Sequence, residues 1–258
     1  MLFFNEIKQI EINPTELCNL ACSFCPRSTF YPNVNEHMSI ATAIEIKNQM
    51  VTAGFRGVLS ITGRGEPTLH PFFKEFVSVF VGYDWTLKMH TNGKRFEQHK
   101  EFILNNFQDI HFNCYETDAR EIAEEYKSNC NVKVINKPIN ESNAEWVTNR
   151  AGSFPTNELP MDQRCDVPFH KMFIDIDGTY RLCCEDWKHK VSLGNVFKQN
   201  IVEYIEDNNK LSSYRKKLVE GNRSSNPCLN CNYNINDDKY DKISKLDTYK
   251  KMVELGEF

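Results

Sequence analysis

Cys18-Asn19-Leu20-Ala21-Cys22-Ser23-Phe24-Cys25 is the run on which the reading of this chain turns. Its three thiols are spaced by three residues and then two, just after an apolar-alternating stretch over residues 7–12. Three thiolates on one tight loop can hold three irons of a cubane [4Fe–4S] cluster, leaving the fourth iron open to another molecule. A structural zinc site would favour two Cys-x-x-Cys pairs, or one such pair followed by histidines. No cysteine lies between Cys25 and Cys114, and no histidine pair follows at finger spacing. The loop therefore reads as an open iron–sulfur site, built for chemistry rather than for scaffolding.

Outward from this loop the chain alternates strand and helix patterns as far as residue 139. Strands are expected over 7–12, 57–62, 86–91, 109–115 and 132–139, from short apolar or alternating runs. Helices are expected between them: one capped by Ser39 and running through Met50, and one opened by His70-Pro71 and carrying Phe72, Phe73, Phe76, Val79 and Phe80. Two more span 96–107 and 119–128, the latter capped by Asp118. Such alternation implies parallel βαβ units in an α/β fold, an open arc or partial barrel. Ligands on such sheets gather at the carboxyl ends of the strands, which is where the three-cysteine loop falls.

The CxxxCxxC spacing, with an aromatic residue before its last cysteine, resembles the signature of radical S-adenosylmethionine (SAM) enzymes. That resemblance implies a partial (β/α)6 barrel, SAM chelated by the open iron, and reductive cleavage of SAM to a 5′-deoxyadenosyl radical that abstracts a substrate hydrogen. It also implies a flavodoxin- or ferredoxin-like electron donor. By the same resemblance Phe24 lies beside the adenine. Gly63-Arg64-Gly65-Glu66-Pro67 is similar to the family's GGEP motif, with Gly65, Glu66 and Pro67 as the matching residues and Arg64 in place of the first paired glycine. Glycine permits close backbone approach, and carbonyls with a carboxylate suit the SAM ammonium. Thr91-Asn92-Gly93 resembles a Thr-Asn-Gly of the family that helps shape the SAM pocket. Asn113 is the candidate for the ribose. His90 and His111 receive no role.

Beyond residue 139 the pattern changes, and a boundary is placed near residue 155, dividing a domain over 1–155 from one over 156–258. Residues 141–168 read as loop. Segments 172–177 and 179–184 flank Asp177-Gly178, a strong hairpin signal, and a helical stretch covers 201–219. Cys165, Cys183, Cys228 and Cys231 come from three segments of this region and can close one metal site, by spacing either structural zinc or a second [4Fe–4S] cluster. The arrangement resembles the SPASM/Twitch extension of radical SAM enzymes, in which a hairpin and following helix hold one auxiliary [4Fe–4S] cluster. That implies Cys183 as ligand and Cys184 as its neighbour. Asn149-Arg150-Ala151-Gly152 resembles an Asn-Arg-Gly-Gly segment of an alcohol-oxidising member of the family, whose arginine approaches both substrate and SAM. Arg150 is accordingly the catalytic candidate.

The net charge of −4 and pI near 6.0 argue against a nucleic-acid partner. No apolar stretch approaches the ~20 residues a membrane helix needs, and the first residues lack a basic n-region. A cytoplasmic location is expected. Ten cysteines in a reducing compartment read as metal ligands rather than disulfides, with Cys114 and Cys130 as small buried apolar residues. The function expected is oxidation of a small hydroxylated, sugar- or cyclitol-like molecule, the auxiliary cluster taking the second electron. A peptide-modifying enzyme (thioether formation or epimerisation) and a non-catalytic zinc-binding module are the alternatives.

Overall fold

Strand β1 (Gln9–Ile12) sits at the middle of the sheet, parallel to β2 (Val58–Ile61) on one side and to β6 (Lys171–Ile174) on the other. The computed structural model describes residues 3–113, 117–128, 132–135, 148–154, 160, 163–233 and 250. From β2 the parallel pairing continues through β3 (Thr86–Thr91), β4 (Asp109–Asn113) and β5 (Val132–Ile135). From β6 it turns antiparallel through β7 (Thr179–Arg181) and β8 (Ser192–Asn195). The order is β5-β4-β3-β2-β1-β6-β7-β8. The open α/β arc expected from the sequence is therefore present, and its sixth parallel strand is the first strand of the hairpin at Asp177-Gly178. Gly178 turns that hairpin in the left-handed region, φ 80°.

The two faces of this sheet have opposite chemistry. One carries rows of apolar side chains in register: Ile10 beside Leu59 and Met172, and Ile12 beside Ile61 and Ile174, with Met89, Ile110 and Val132 continuing the second row. These join one core with Ala43, Ile46 and Met50 of α1 (Ile40–Thr52), Phe73 and Phe76 of α2 (Phe73–Ser78), and Phe96 and Ile103 of α3 (Phe96–Asn106). The other face carries polar residues in register, with Glu11 aligned to Ser60 and on to Lys88, and His90 to His111. Parallel strands usually present apolar side chains on both faces. Here the second face is polar, and its Glu11, His90 and Asn113 line a cavity.

Local signals explain most element ends. Ser39 caps α1 by accepting from the Thr42 N–H at 3.0 Å. The helix expected to open at His70-Pro71 instead starts at Phe73, preceded by a 3-10 turn over Pro67–Leu69. His70 is withdrawn from it to bond the Met38 carbonyl at 2.9 Å. Helix α4 (Thr117–Tyr126) precedes β5. The single helix expected over 201–219 is two, α6 (Ile201–Asp207) and α7 (Asn209–Val219), after a short α5 (Val167–His170). Asn208 breaks it, extended at ψ 100° and capping α7 through the Leu211 N–H. Cys114 and Cys130 lie outside the described residues. Among the described residues no helix is long and apolar enough to cross a membrane.

Candidate active site

The three-cysteine loop leaves the carboxyl end of β1 and is held by backbone contacts. Cys18 donates its N–H to the Asn33 Oδ1 and accepts from the Asn33 Nδ2, both at 2.9 Å, and the Cys25 N–H bonds the Cys22 carbonyl at 2.9 Å. All three thiols are half-buried, and burial raises the Cys18 thiol above its ordinary value. They border a cavity of about 130 Å³ whose walls also include Phe24, Gly65, Glu66, Asn92, Asn113 and Arg150. Most residues singled out in the sequence for SAM thus converge on one space. Pro67 is not in its wall; it is buried and opens the 3-10 turn.

The glycines of this loop are required by contact. A Cβ on Gly65 would stand 2.3 Å from the Thr15 carbonyl oxygen and 2.5 Å from that of Leu17. One on Gly63, at φ 149°, would meet the Asn13 Oδ1 at 2.2 Å. The loop after β2 therefore lies flat on the cysteine-bearing loop, and the Glu66 N–H bonds the Leu17 carbonyl at 2.9 Å.

Both carboxylate oxygens of Glu66 are engaged, Oε1 by three donors and Oε2 by one. Its carboxylate accepts from the Thr68 N–H (3.3 Å), the Thr68 hydroxyl (2.8 Å), the Thr91 hydroxyl (2.7 Å) and the Asn92 N–H (2.7 Å). Burial raises its pKa while these four bonds oppose the rise. Asn92 in turn donates to the Asn19 Oδ1 at 2.8 Å. The Thr-Asn-Gly and Gly-Glu-Pro segments therefore act together to brace the cysteine loop.

Arg64, where the family motif has a glycine, bonds Asp175 at 2.7 Å, just past the end of β6. Its guanidinium centre lies 5.8 Å from the ring centroids of both Tyr31 and Trp187. Asp175 also receives Asn13 Nδ2 at 3.0 Å and Arg181 Nε at 2.9 Å. Burial alone would raise the Asp175 carboxyl, but Arg64, Asn13 and Arg181 hold it well below the usual carboxylate range. This ion-pair group ties the β2 loop to the hairpin. It was not read in the sequence, where the arginine registered only as a departure from the motif.

Cys165, Cys183, Cys228 and Cys231 border a second, mostly apolar cavity of about 100 Å³, together with Cys184. Burial pushes the Cys165 thiol up to about 11, and burial with the neighbouring thiols pushes Cys228 to about 12. Cys183 is likewise raised well above its ordinary value, by burial and by Cys184, Cys228 and Cys231. Thiols crowded this way need a cation to ionise together. A soft, all-sulfur donor set from three segments fits an iron–sulfur cluster. Among the described residues no group of three or more His, Cys, Asp or Glu converges tightly enough to hold a single metal ion. A cubane instead spreads its ligands over separate irons.

Two devices assemble this second site. Buried Arg223 donates to the carbonyls of Gln163 (2.7 Å), Arg164 (3.2 Å), Tyr233 (3.0 Å) and Cys231 (3.4 Å), joining the segments that carry Cys165 and Cys231. Asn149 exchanges bonds with Asn232, while Gly152, at φ 75°, packs where a Cβ would meet the Asn230 Cβ at 2.7 Å. The Asn-Arg-Ala-Gly turn is thereby docked on the Cys228–Cys231 loop, and Arg150 is projected from it. Arg150 bonds Glu185 at 2.9 Å.

Between the two cysteine sets lies a third cavity of about 330 Å³. It shares Arg64, His90, Asn113 and Arg150 with the first cavity and Cys183 and Cys184 with the second. Glu11 of β1 also lines it. The alternation Gln9-Ile10-Glu11-Ile12 carries this signal only in part, since an acidic residue in a strand can mark a polar interior or an exposed edge.

A fold with six parallel strands and an open three-cysteine loop defines a class, and comparison with known families agrees. The radical SAM superfamily model matches residues 12–149, and the SPASM model, an iron–sulfur cluster-binding domain, matches residues 165–232. The chain belongs to the radical SAM superfamily, as an enzyme that uses SAM and carries a SPASM iron–sulfur domain, and the zinc-module alternative is set aside. It is 26% identical over 235 residues to the S-adenosyl-L-methionine-dependent 2-deoxy-scyllo-inosamine dehydrogenase of Niallia circulans, covering 86% of this chain and 92% of that protein. The crystal structure of BtrN in complex with AdoMet and 2-DOIA matches with a TM-score of 0.71 at 24% identity, over 91% of this chain and 97% of that one. BtrN in an open conformation matches with a TM-score of 0.67 at 24% identity, over 88% and 92%.

Proposed function

We propose that this enzyme oxidises a ring hydroxyl of a small cyclitol or sugar, in the manner that the name of its dehydrogenase relative describes. The observation that carries the reading is the middle cavity, which shares walls with both cysteine-lined cavities and has the volume of a small-molecule site. That volume suits a ring better than a peptide segment. When bound, a cluster on Cys18, Cys22 and Cys25 supplies the electron that cleaves SAM to a 5′-deoxyadenosyl radical, and one on Cys165, Cys183, Cys228 and Cys231 accepts the electron left on the substrate.

In this reading Phe24 flanks the adenine, the Gly65 backbone and the Glu66 carboxylate face the SAM ammonium, and Asn113 meets the ribose. Glu66 also holds Asn92 and the cysteine loop, and its Oε2, which takes only the Asn92 N–H, keeps acceptor capacity for the ammonium. Arg150 orients the substrate hydroxyl and stabilises charge developing on it, an electrostatic role since a guanidinium stays protonated. The division near residue 155 separates the SAM-cleaving part from the SPASM part. The location is cytoplasmic and the electron donor a flavodoxin- or ferredoxin-like protein.

The test is anaerobic incubation with SAM, a strong reductant and 2-deoxy-scyllo-inosamine. Formation of 5′-deoxyadenosine with a matching amount of ketone is expected. A product isomeric with the substrate would replace oxidation by epimerisation, and absence of 5′-deoxyadenosine would remove the radical reading.

A further inference from the structure

Glu11 stands on the polar face of β1, aligned with Ser60 of β2 and Phe173 of β6, and lines the middle cavity alongside Arg150, His90, Asn113 and Cys184. It is half-buried there. Among the described residues its carboxyl has no hydrogen-bond partner, whereas the other acidic groups nearby are occupied: Asp175 by Arg64 and Arg181, and Glu185 by Arg150 and Thr148. A carboxyl left without a partner beside a chamber is costly unless something that enters the chamber supplies one.

Oxidation of an alcohol needs an acceptor for the hydroxyl proton, and the nitrogen bases of the chamber serve poorly. Arg64 and Arg150 remain protonated, and His90, though neutral, is made a weak base by burial, which lowers it to about 3. We propose that Glu11 is the general base of the reaction, taking the hydroxyl proton of a substrate seated between the two cysteine sets. This inference rests on the oxidation reading above. The step balances as follows: the substrate carbon gives its hydrogen atom to the 5′-deoxyadenosyl radical, forming 5′-deoxyadenosine. The hydroxyl proton passes to the Glu11 carboxylate, one electron leaves to the oxidised auxiliary iron–sulfur cluster, and the C=O bond forms.

Electrostatics agree with the geometry. Burial raises the Glu11 carboxyl to about 7, against the opposing pull of Lys171 on β6, Lys88 on β3, Arg64 after β2, and Arg150. Cys184 lines the same cavity. A base that titrates near the working pH balances ionised fraction against proton affinity. Below about 7 the carboxyl is protonated and cannot accept; above it the acceptor form predominates. Ketone formation should therefore rise with pH through this region.

The experiment compares wild type, Glu11→Gln and Glu11→Asp as anaerobic holoenzymes with 2-deoxy-scyllo-inosamine as probe. Glu11→Gln should keep forming 5′-deoxyadenosine, which shows that it is folded and loaded, while kcat for ketone falls by about 100-fold or more. Its remaining rate should lose the acid limb, and Glu11→Asp should restore that limb in part. A Glu11→Gln enzyme with unchanged kcat and pH profile, or with only a raised KM, would overturn the proposal, the latter by showing a binding role alone. Infrared difference spectra of wild type minus Glu11→Gln across pH give a reading without substrate: a carboxyl band with its midpoint near 7 is expected. If wild type forms 5′-deoxyadenosine but no ketone from the probe, the substrate reading fails. The infrared midpoint then decides for Glu11, and a value in the ordinary carboxylate range overturns it.

Discussion

Gly65 concentrates the residue-scale argument, because its hydrogen is all that separates two backbone loops. A methyl group there would press on the carbonyls of Thr15 and Leu17, which are main-chain atoms and cannot swing aside. Gly65→Ala should cost on the order of 1–3 kcal/mol of stability. It should also weaken SAM binding, since the displaced strand of loop carries the cysteines. Gly54→Ala is the control: that site, at φ 67°, has open space around it, so only backbone strain is added. Calorimetric SAM titration of the two reconstituted variants should show a loss of affinity for Gly65→Ala alone; equal affinities would remove the brace from the SAM site. Much of this scale was legible in the sequence, because glycine and cysteine at fixed spacing admit few physical readings. Glu66 was found by its motif, yet its bracing work depends on Thr68, Thr91 and Asn92, which only the fold brings to it. Glu11 was passed over because one acidic residue in a strand can equally mark an exposed edge.

At the scale of elements, the second site depends on tying together segments that have no regular structure of their own. Helix α7 ends in a Schellman motif, with Asn222 N–H to Lys217 O at 2.9 Å and Gly221 N–H to Leu218 O at 3.3 Å, Gly221 at φ 80°. This stop aims the chain at Arg223, whose side chain gathers carbonyls from both sides of the cysteine set. Arg223→Met keeps the bulk and removes every donor. It should destabilise this part by on the order of 3 kcal/mol. Anaerobic iron analysis should find about four irons per chain in place of about eight, with SAM cleavage retained. Full iron content in this variant would show that the cysteines hold without the clamp. The βαβ series was legible because apolar periodicity and length agree. The Asn208 break was not, since asparagine inside an amphipathic stretch reads equally as a solvent-facing position. Strand β8 has little apolar signal, only Leu193 being an apolar residue buried there, and pairs because β7 offers it an edge.

On the scale of the whole molecule, one sheet carries both cysteine sets, and the cavities they border share walls with the one between them. The cysteine loop leaves β1, and β1 is hydrogen-bonded to β6, whose hairpin delivers Cys183 and Cys184. That adjacency in the sheet is hidden in the sequence by more than a hundred intervening residues. It makes the two sites separable by mutation yet adjacent across one chamber. Changing Cys18, Cys22 and Cys25 together to alanine should abolish SAM cleavage while leaving about four irons bound. Cys228→Ala makes the complementary cut: it spares the loop that faces SAM and removes a wall of the cavity behind the substrate. SAM should still be cleaved and the substrate hydrogen still abstracted, but the carbon radical would have no nearby acceptor for its electron. With the probe ring deuterated at the reacting carbon, Cys228→Ala should give deuterated 5′-deoxyadenosine without ketone. Ketone formed at the wild-type rate would mean that the electron leaves by another route, and the second cysteine set would then have only a structural part in the reaction.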